Sequence, residues 1–506
     1  MKSLRHSCII AVTSFAALAL SLQATGQEAA KKHHRYHHYQ IVDPGTFGGP
    51  SSGLQNPQLP RAGVLNNRGT LTGFANTPGS DYPYCGFGNC YAGDAFQLRD
   101  GVTTDLGRLS GGFDSQVNWI SASGAMTGAG DNGQPDPLAG FLITQIHALL
   151  WDHGTMTDLG TLPGGYNSFS MGVNNRGEVV GSAQNTVPDP NTMQFPGYGT
   201  QSRAFYWKDG VMQDLGTLGT GTDAIAALIN DRGQVVGWSY VNSVPSPFCS
   251  GLNFALTTGT FIWDKKNGMK DIGGLGGTCT IAWDLNNRGR VVGETSRPGD
   301  PTNLAFVWDR ATGMKELSTL GAGGAFAVND AGEIVGYGLA PDGNYGAILW
   351  RKRERKWQTT YLGVLHSGDD FAAAWSINAS AQVVGNSGPN GGVTTLPFLW
   401  EDGGPMVDLN TLLPPNSGIV LVEAAQINDH GEIAAQGPDA NGNNHAVLLI
   451  PCDENHPDVE GCDYDTIDAE TARSTVRPHV PNATKRLAHP RWSDRYRVPG
   501  QRLVIR

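Results

Sequence analysis

Short apolar runs separated by turn residues recur along most of the chain, and none has a convincing helical period. The strongest pattern is Asn-x-x-Gly, then a β-branched pair, then a second Gly. It appears as LNNRGTLTG from Leu65, VNNRGEVVG from Val173, INDRGQVVG from Ile229, LNNRGRVVG from Leu285 and VNDAGEIVG from Val328. Altered copies are ISASGAMTG from Ile120, INASAQVVG from Ile377 and INDHGEIAA from Ile427. The leading polar residues are Asn66, Ser121, Asn174, Asn230, Asn286, Asn329, Asn378 and Asn428, a mean spacing of about 52 residues. Asn-x-x-Gly between apolar runs predicts a type I turn with Gly in the left-handed region, closing a bulged hairpin.

Two further motifs follow in fixed order. One is a small residue and an aromatic, then Trp and a turn, as in RAFYWKDG from Arg203 and LAFVWDRATG from Leu304. The other is Asp-Leu-Gly-x-Leu-Gly-Gly, as in TDLGTLPGG from Thr157. Together they predict four strands per unit. The eighth unit, from Asn428, has no Asp-Leu-Gly strand after it. Tyr39-Gln-Ile-Val-Asp-Pro-Gly at the other end of the chain matches that strand. The predicted fold is therefore all-β: a single β-propeller of eight four-stranded blades over 39–451, with the N-terminal strand completing the last blade. A β-solenoid or two smaller propellers are the alternatives.

In this arrangement both tight turns of each unit lie on one face of the ring. The long connections lie on the other, including insertions at 76–93, 131–145, 184–202 and 240–258. In repeat proteins the face bearing insertions is the expected binding face.

The motifs resemble a bacterial extracellular repeat family named for the triplet His-Ala-Phe (HAF). His147-Ala-Leu and His445-Ala-Val are the nearest copies, and Ala-Phe recurs at Ala95, Ala204 and Ala305. The resemblance spans about 39–451. It implies export and a β repeat architecture, and it carries no activity or catalytic residues.

The N-terminus agrees with export. Lys2 and Arg5 precede an apolar run of 15 residues from Cys8 to Leu22, and Ala24-Thr25-Gly26 places small residues at a cleavage site. Residues 1–26 read as a signal peptide and 27–38 as a flexible His-rich leader. The run is too short to span a bilayer. The chain ends Arg502-Leu-Val-Ile-Arg506 without a hydrophobic tail, so a secreted or periplasmic protein is expected. Six cysteines follow the leader, and an oxidising compartment predicts disulfides among them. Proximity suggests Cys85–Cys90 and Cys452–Cys462, the latter within an extension over 452–465. Cys249 and Cys279 then remain, both on the face with the insertions.

Charge is uneven. The total is −11, but 1–35 carry +4 and 466–506 carry +6, leaving −21 on the body. An acidic body argues against nucleic acid as a partner. The Arg- and Pro-rich stretch 466–506 reads as a disordered tail.

A functional pocket needs one set of residues, so it must break the repeat. The repeated Asp105, Asp158, Asp214, Asp271 and Asp408 therefore read as structural, as do the repeated Trp residues. His366-Ser-Gly-Asp369-Asp370 replaces a Leu-Gly-Gly connection and supplies weak candidate catalytic residues, His366, Asp369 and Asp370. Asp439-Ala-Asn-Gly-Asn443 reads as a turn. No Ser-His-Asp arrangement, zinc spacing, phosphate loop or nucleotide fingerprint is present, and no cofactor or metal is expected. The leading expectation is a monomeric, non-catalytic binding or scaffold protein for an extracellular glycan or protein. A secreted glycan-acting enzyme and a cell-envelope adhesion module are the alternatives.

Overall fold

The computed structural model describes residues 34–54, 63–80, 91–138, 140–193, 199–246, 249, 254–299, 302–317, 320–389, 395–401 and 403–472. The expected signal peptide, Cys85, Cys90 and the chain beyond 472 lie outside these residues.

The Asn turns form as expected and their chemistry explains their recurrence. The side-chain oxygen of Asn230 accepts from the backbone N–H of Arg232 and of Gln234, both at 3.0 Å. Gly233 sits at φ 74°, where a side chain is disfavoured. Each such turn joins two strands of an antiparallel sheet. Units two to five are each a four-stranded sheet in sequence order, from 115 to 316. The first unit, Ser52–Gly53 to Val102–Asp105, has the same order. Units six and seven also have four strands each and are joined by one parallel contact, Tyr345 to Phe371. The final sheet takes three strands from 423–451 and its fourth from the N-terminus, where Tyr39–Val42 pairs with Leu448 to Pro451.

A second set of contacts joins the units. The turn Asn side chains are all buried, and each donates to the backbone carbonyl of the next turn. Asn174 donates to Asn230, Asn230 to Asn286, Asn286 to Asn329, Asn329 to Asn378 and Asn378 to Asn428, at 2.9–3.1 Å. Asn428 donates back to Asn66 at 3.0 Å, across 362 positions of sequence. Asn66 donates to Ser121 at 3.1 Å. Ser121 has no amide to pass on, and the belt skips one step there. An open solenoid would hold its first and last units apart; here the N-terminal strand completes the last unit's sheet, and the belt runs from the last turn to the first.

The recurring Asp also has a structural role. Asp43, Asp105, Asp158, Asp214 and Asp271 each accept from the backbone N–H two residues on, at 2.7–2.8 Å. The residue before the motif Ala adds a side-chain partner: His147 meets Asp158 at 2.8 Å and Arg203 meets Asp214 at 2.9 Å. In the last unit His445 meets Asp43, from the N-terminal strand, at 2.9 Å. The same local motif thus serves a junction between chain ends.

Two expectations at the ends need correction. The leader was expected to be flexible to residue 38, but Arg35–His37 pairs with Thr466–Asp468. Tyr36 is fully buried and donates from its hydroxyl to Pro405 O at 2.6 Å. The stretch from 466 was expected to be disordered, yet Ala469 and Ala472 are buried in the same apolar cluster as Tyr36 and Leu409. Burial of these apolar side chains offsets the ordering cost of both segments. Cys452–Cys462 closes the extension beside them, and Cys249–Cys279 ties the long connection of unit four to unit five.

Candidate functional site

The innermost strand of units two to eight carries one irregularity at an equivalent place. The bulged residues are Asn118, Met171, Ala227, Trp283, Phe326, Trp375 and Ala425. A bulge re-aims a side chain out of the sheet. Trp283, Phe326 and Trp375 belong to three different units, yet their rings touch, with centroids 6.1 Å and 4.8 Å apart. They therefore meet inside the ring. The small or polar residues Asn118, Ala227 and Ala425 occupy the same position elsewhere.

An equivalent position on the second strand of each unit, paired in units two to eight with the residue two before the bulge, breaks the repeat as well. It is Phe74, Ala129, Ser182 and Trp238 in units one to four. In units five to eight it is Glu294, Tyr337, Asn386 and Gln436. Tyr337 stacks on Phe326 at 5.3 Å and reaches Tyr345 and Phe371 at 6.2 and 5.8 Å. Phe326, Tyr337, Tyr345, Phe371 and Trp375 are all only partly buried. Tyr345 and Phe371 begin strands that enter from the long-connection face. A continuous strip of aromatic rings thus runs from that face into the ring.

Polar groups line the strip. Trp375 Nε1 donates to Asn386 Oδ1 at 3.2 Å, and Asn386 Nδ2 donates to Val422 O at 2.7 Å. Gln436 Nε2 donates to Glu423 Oε2 at 2.7 Å. Burial pushes the Glu423 carboxyl up to about 7, although the Gln436 hydrogen bond opposes the shift. Asn303 donates to the buried Glu294 carboxylate.

The connections around this interior are unequal. In units one to four the middle strands run to 9–13 residues, as in Met126–Asp136 and Gly140–Asp152. In units five to eight they span 5–9 residues. Long arms thus rise on the four units opposite the aromatic strip. Cys249 and Cys279, both buried, anchor one of those arms.

The loop singled out in the sequence, 366–370, borders the mouth of the strip, directly before Phe371. Asp369 is buried and accepts from Ser387 Oγ at 2.7 Å. His366 Nδ1 lies 3.7 Å from Asp369 Oδ2, with only 13% of its side chain exposed. Tyr345 N donates to Asp370 O at 3.1 Å, bracing this loop against the start of the neighbouring strand. Among the described residues no cluster of three His, Cys, Asp or Glu is placed to hold a metal. No helix among them is long and apolar enough to cross a membrane.

No protein-family model and no curated protein matches the sequence. Among solved structures, an oligogalacturonate lyase in complex with manganese shares 10% identity, with 84% of this chain and 99% of that chain covered and a TM-score of 0.39. The β-propeller domain of the Trilobed protease from Pyrococcus furiosus shares 10%, covering 74% and 95%, with a TM-score of 0.35. A polysaccharide lyase of family PL25, an ulvan lyase, shares 10%, covering 83% and 96%, with a TM-score of 0.34. Their activities belong to those proteins.

Proposed function

We propose that the chain is an exported, non-catalytic binding or scaffold protein that takes its ligand at the long-connection face. The observation that carries this reading is the partly exposed aromatic strip, Tyr345–Tyr337–Phe326–Trp375, built on rigid strands at repeat positions where units one to four differ. Aromatic faces bordered by amides suit a ligand with flat apolar faces and hydroxyls, as a sugar ring has. Export is supported by the two disulfides and by the apolar N-terminal run. The test is a glycan-array and pull-down comparison of the mature protein with Tyr345→Ser/Phe371→Ser, two changes at the mouth of the strip. Loss of wild-type hits supports the reading; unchanged hits oppose it.

A glycan-cleaving enzyme is the second reading. The observation favouring it is Glu423, whose carboxyl is held near 7, where a general acid or base works best. Cleavage of any array hit by the wild type, abolished in Glu423→Gln, would select this reading over the first.

A further inference from the structure

The tight-turn face also breaks the repeat, in unit six. In units one to five the hairpin after the Trp motif is short, with a four-residue return strand such as Val211–Asp214. In unit six the return strand Lys356–Gly363 has eight residues. The hairpin tip reads Arg351-Lys-Arg-Glu-Arg-Lys356, a net charge of +4 in a body of −21. Glu354 and Arg355 turn it at φ 48° and 67°; the first position matches Asp100, His153 and Asp209 in other hairpins, while the second is Gly101, Gly154 and Gly210 there. Arg355 thus keeps a charged side chain where glycine would be less strained.

These cations surround a groove of about 730 Å³ between units five, six and seven. Its walls include Arg290, Arg351, Lys352, Arg353 and Arg355, with Glu333 as the one carboxylate. Glu333 is engaged by Arg351 at 2.7 Å. The Arg290 guanidinium lies over the Trp357 ring at 5.7 Å, and Lys352 lies over the same ring at 5.8 Å. Arg290 Nε is buried and has no hydrogen-bond partner among the described residues. No carboxylate there pairs with Lys352, Arg353 or Arg355. Small turn residues, Ala331 and Ser380, leave the groove open where units one, three, four and five carry Arg.

The equivalent groove between units three and five shows the contrast. It also holds five cations, but Glu178 engages Arg176 and Lys265, and Asp264 engages Arg310. There the charges are largely answered from within.

We propose that the unit-six groove binds a polyanionic chain bearing sulfate or phosphate ester groups. Arg290 and Arg351 are fixed by their neighbours at the base, and the exposed Lys352, Arg353 and Arg355 follow the chain at the rim. Arg forks suit such oxyanions, and a stacked guanidinium stays available to them. A polysaccharide fits better than a membrane surface. The site is concave, and the exposed large apolar residues of the described chain, such as Val102 and Val211, belong to other units.

The experiment is calorimetric titration of the mature protein with dextran sulfate, with uncharged dextran as reference, at several salt concentrations. Arg353→Ser/Arg355→Ser removes two exposed charges and leaves the packing intact, which an unchanged melting temperature confirms. The wild type binds dextran sulfate only. The variant loses about tenfold or more in affinity at low salt, and its salt slope falls by about one to two units. Lys265→Ser/Lys266→Ser, in the equivalent groove, changes affinity by less than about twofold. Equal losses in both variants, or no wild-type binding, overturn the proposal. So does binding to phosphatidylglycerol vesicles without binding to dextran sulfate.

Discussion

Replacing Asn428 by Ala tests how the chain ends are held together. Its side chain donates to Asn66 O and accepts from the N–H of His430 and of Glu432, each at 3.0 Å, and it also bonds the Glu432 carboxylate. Asn66, Asn428 and Glu432 are buried, so water cannot fully replace these partners. At about 1 kcal/mol net for each of four bonds, the loss is about 4 kcal/mol. An unfolding entropy of about 2.1 cal/mol/K per residue over roughly 400 ordered residues converts this to a fall of about 5 °C in melting temperature. Differential scanning calorimetry at neutral pH measures it. The reverse change provides the control. Ser121 breaks the belt, and Ser121→Asn should restore a bond to Asn174 O, adding about 1 kcal/mol. A fall below about 1 °C for Asn428→Ala, with no gain for Ser121→Asn, would show that the belt does not hold the units.

The remaining predictions concern charge and covalent ties. The Asp43 hydrogen bond raises the His445 imidazole above its ordinary value and outweighs burial. The stability it supplies is complete below the unfolded value of about 6.5 and is lost as pH rises through the folded value. His445→Gln should therefore cost stability at pH 5.5 and little at pH 9, as read by denaturant titration; an equal cost at both rejects the pairing. The Glu423 carboxyl is raised to about 7 by burial, so its ionisation opposes folding increasingly above the unfolded value and fully above the folded one. Glu423→Gln should be neutral at pH 4 and stabilising at pH 8, and destabilisation at pH 8 would contradict that. Opening Cys249–Cys279, which spans 30 residues, should cost about 3–4 kcal/mol in chemical denaturation. An unchanged midpoint for Cys249→Ser/Cys279→Ser would reject that tie.

The repeat was legible because it is written in turn chemistry. Asn-x-x-Gly and Asp-Leu-Gly each bind their own backbone, so their spacing reports units directly, and the missing last strand pointed to Tyr39. The aromatic strip was hidden for a physical reason. Its members are single positions inside strands, and the bulge that turns Phe326 and Trp375 inward leaves no mark in the alternation of apolar and polar residues. Comparing Trp238, Glu294, Tyr337 and Asn386 across aligned units was the available signal. The basic hairpin was hidden because its +4 disappears in the −21 of the body as a whole. Pairing of Arg35–His37 with Thr466–Asp468 joins segments more than 400 residues apart and has no local signature. The His366 loop stood out by composition, but its Asp369 side chain is spent on Ser387 and the loop backbone.

The central claim is that ligand meets the aromatic strip inside the long-connection face. Removing the Trp375 ring withdraws a contact surface worth about 2 kcal/mol, or on the order of thirtyfold in affinity. The direct measurement is the glycan-array profile of the mature wild type beside Trp375→Ala, with Arg353→Ser/Arg355→Ser as the opposite-face control. The account predicts a selective wild-type signal on an array of neutral glycans, lost in Trp375→Ala and kept in the control. A full Trp375→Ala signal, or no wild-type binding to any glycan, would contradict it.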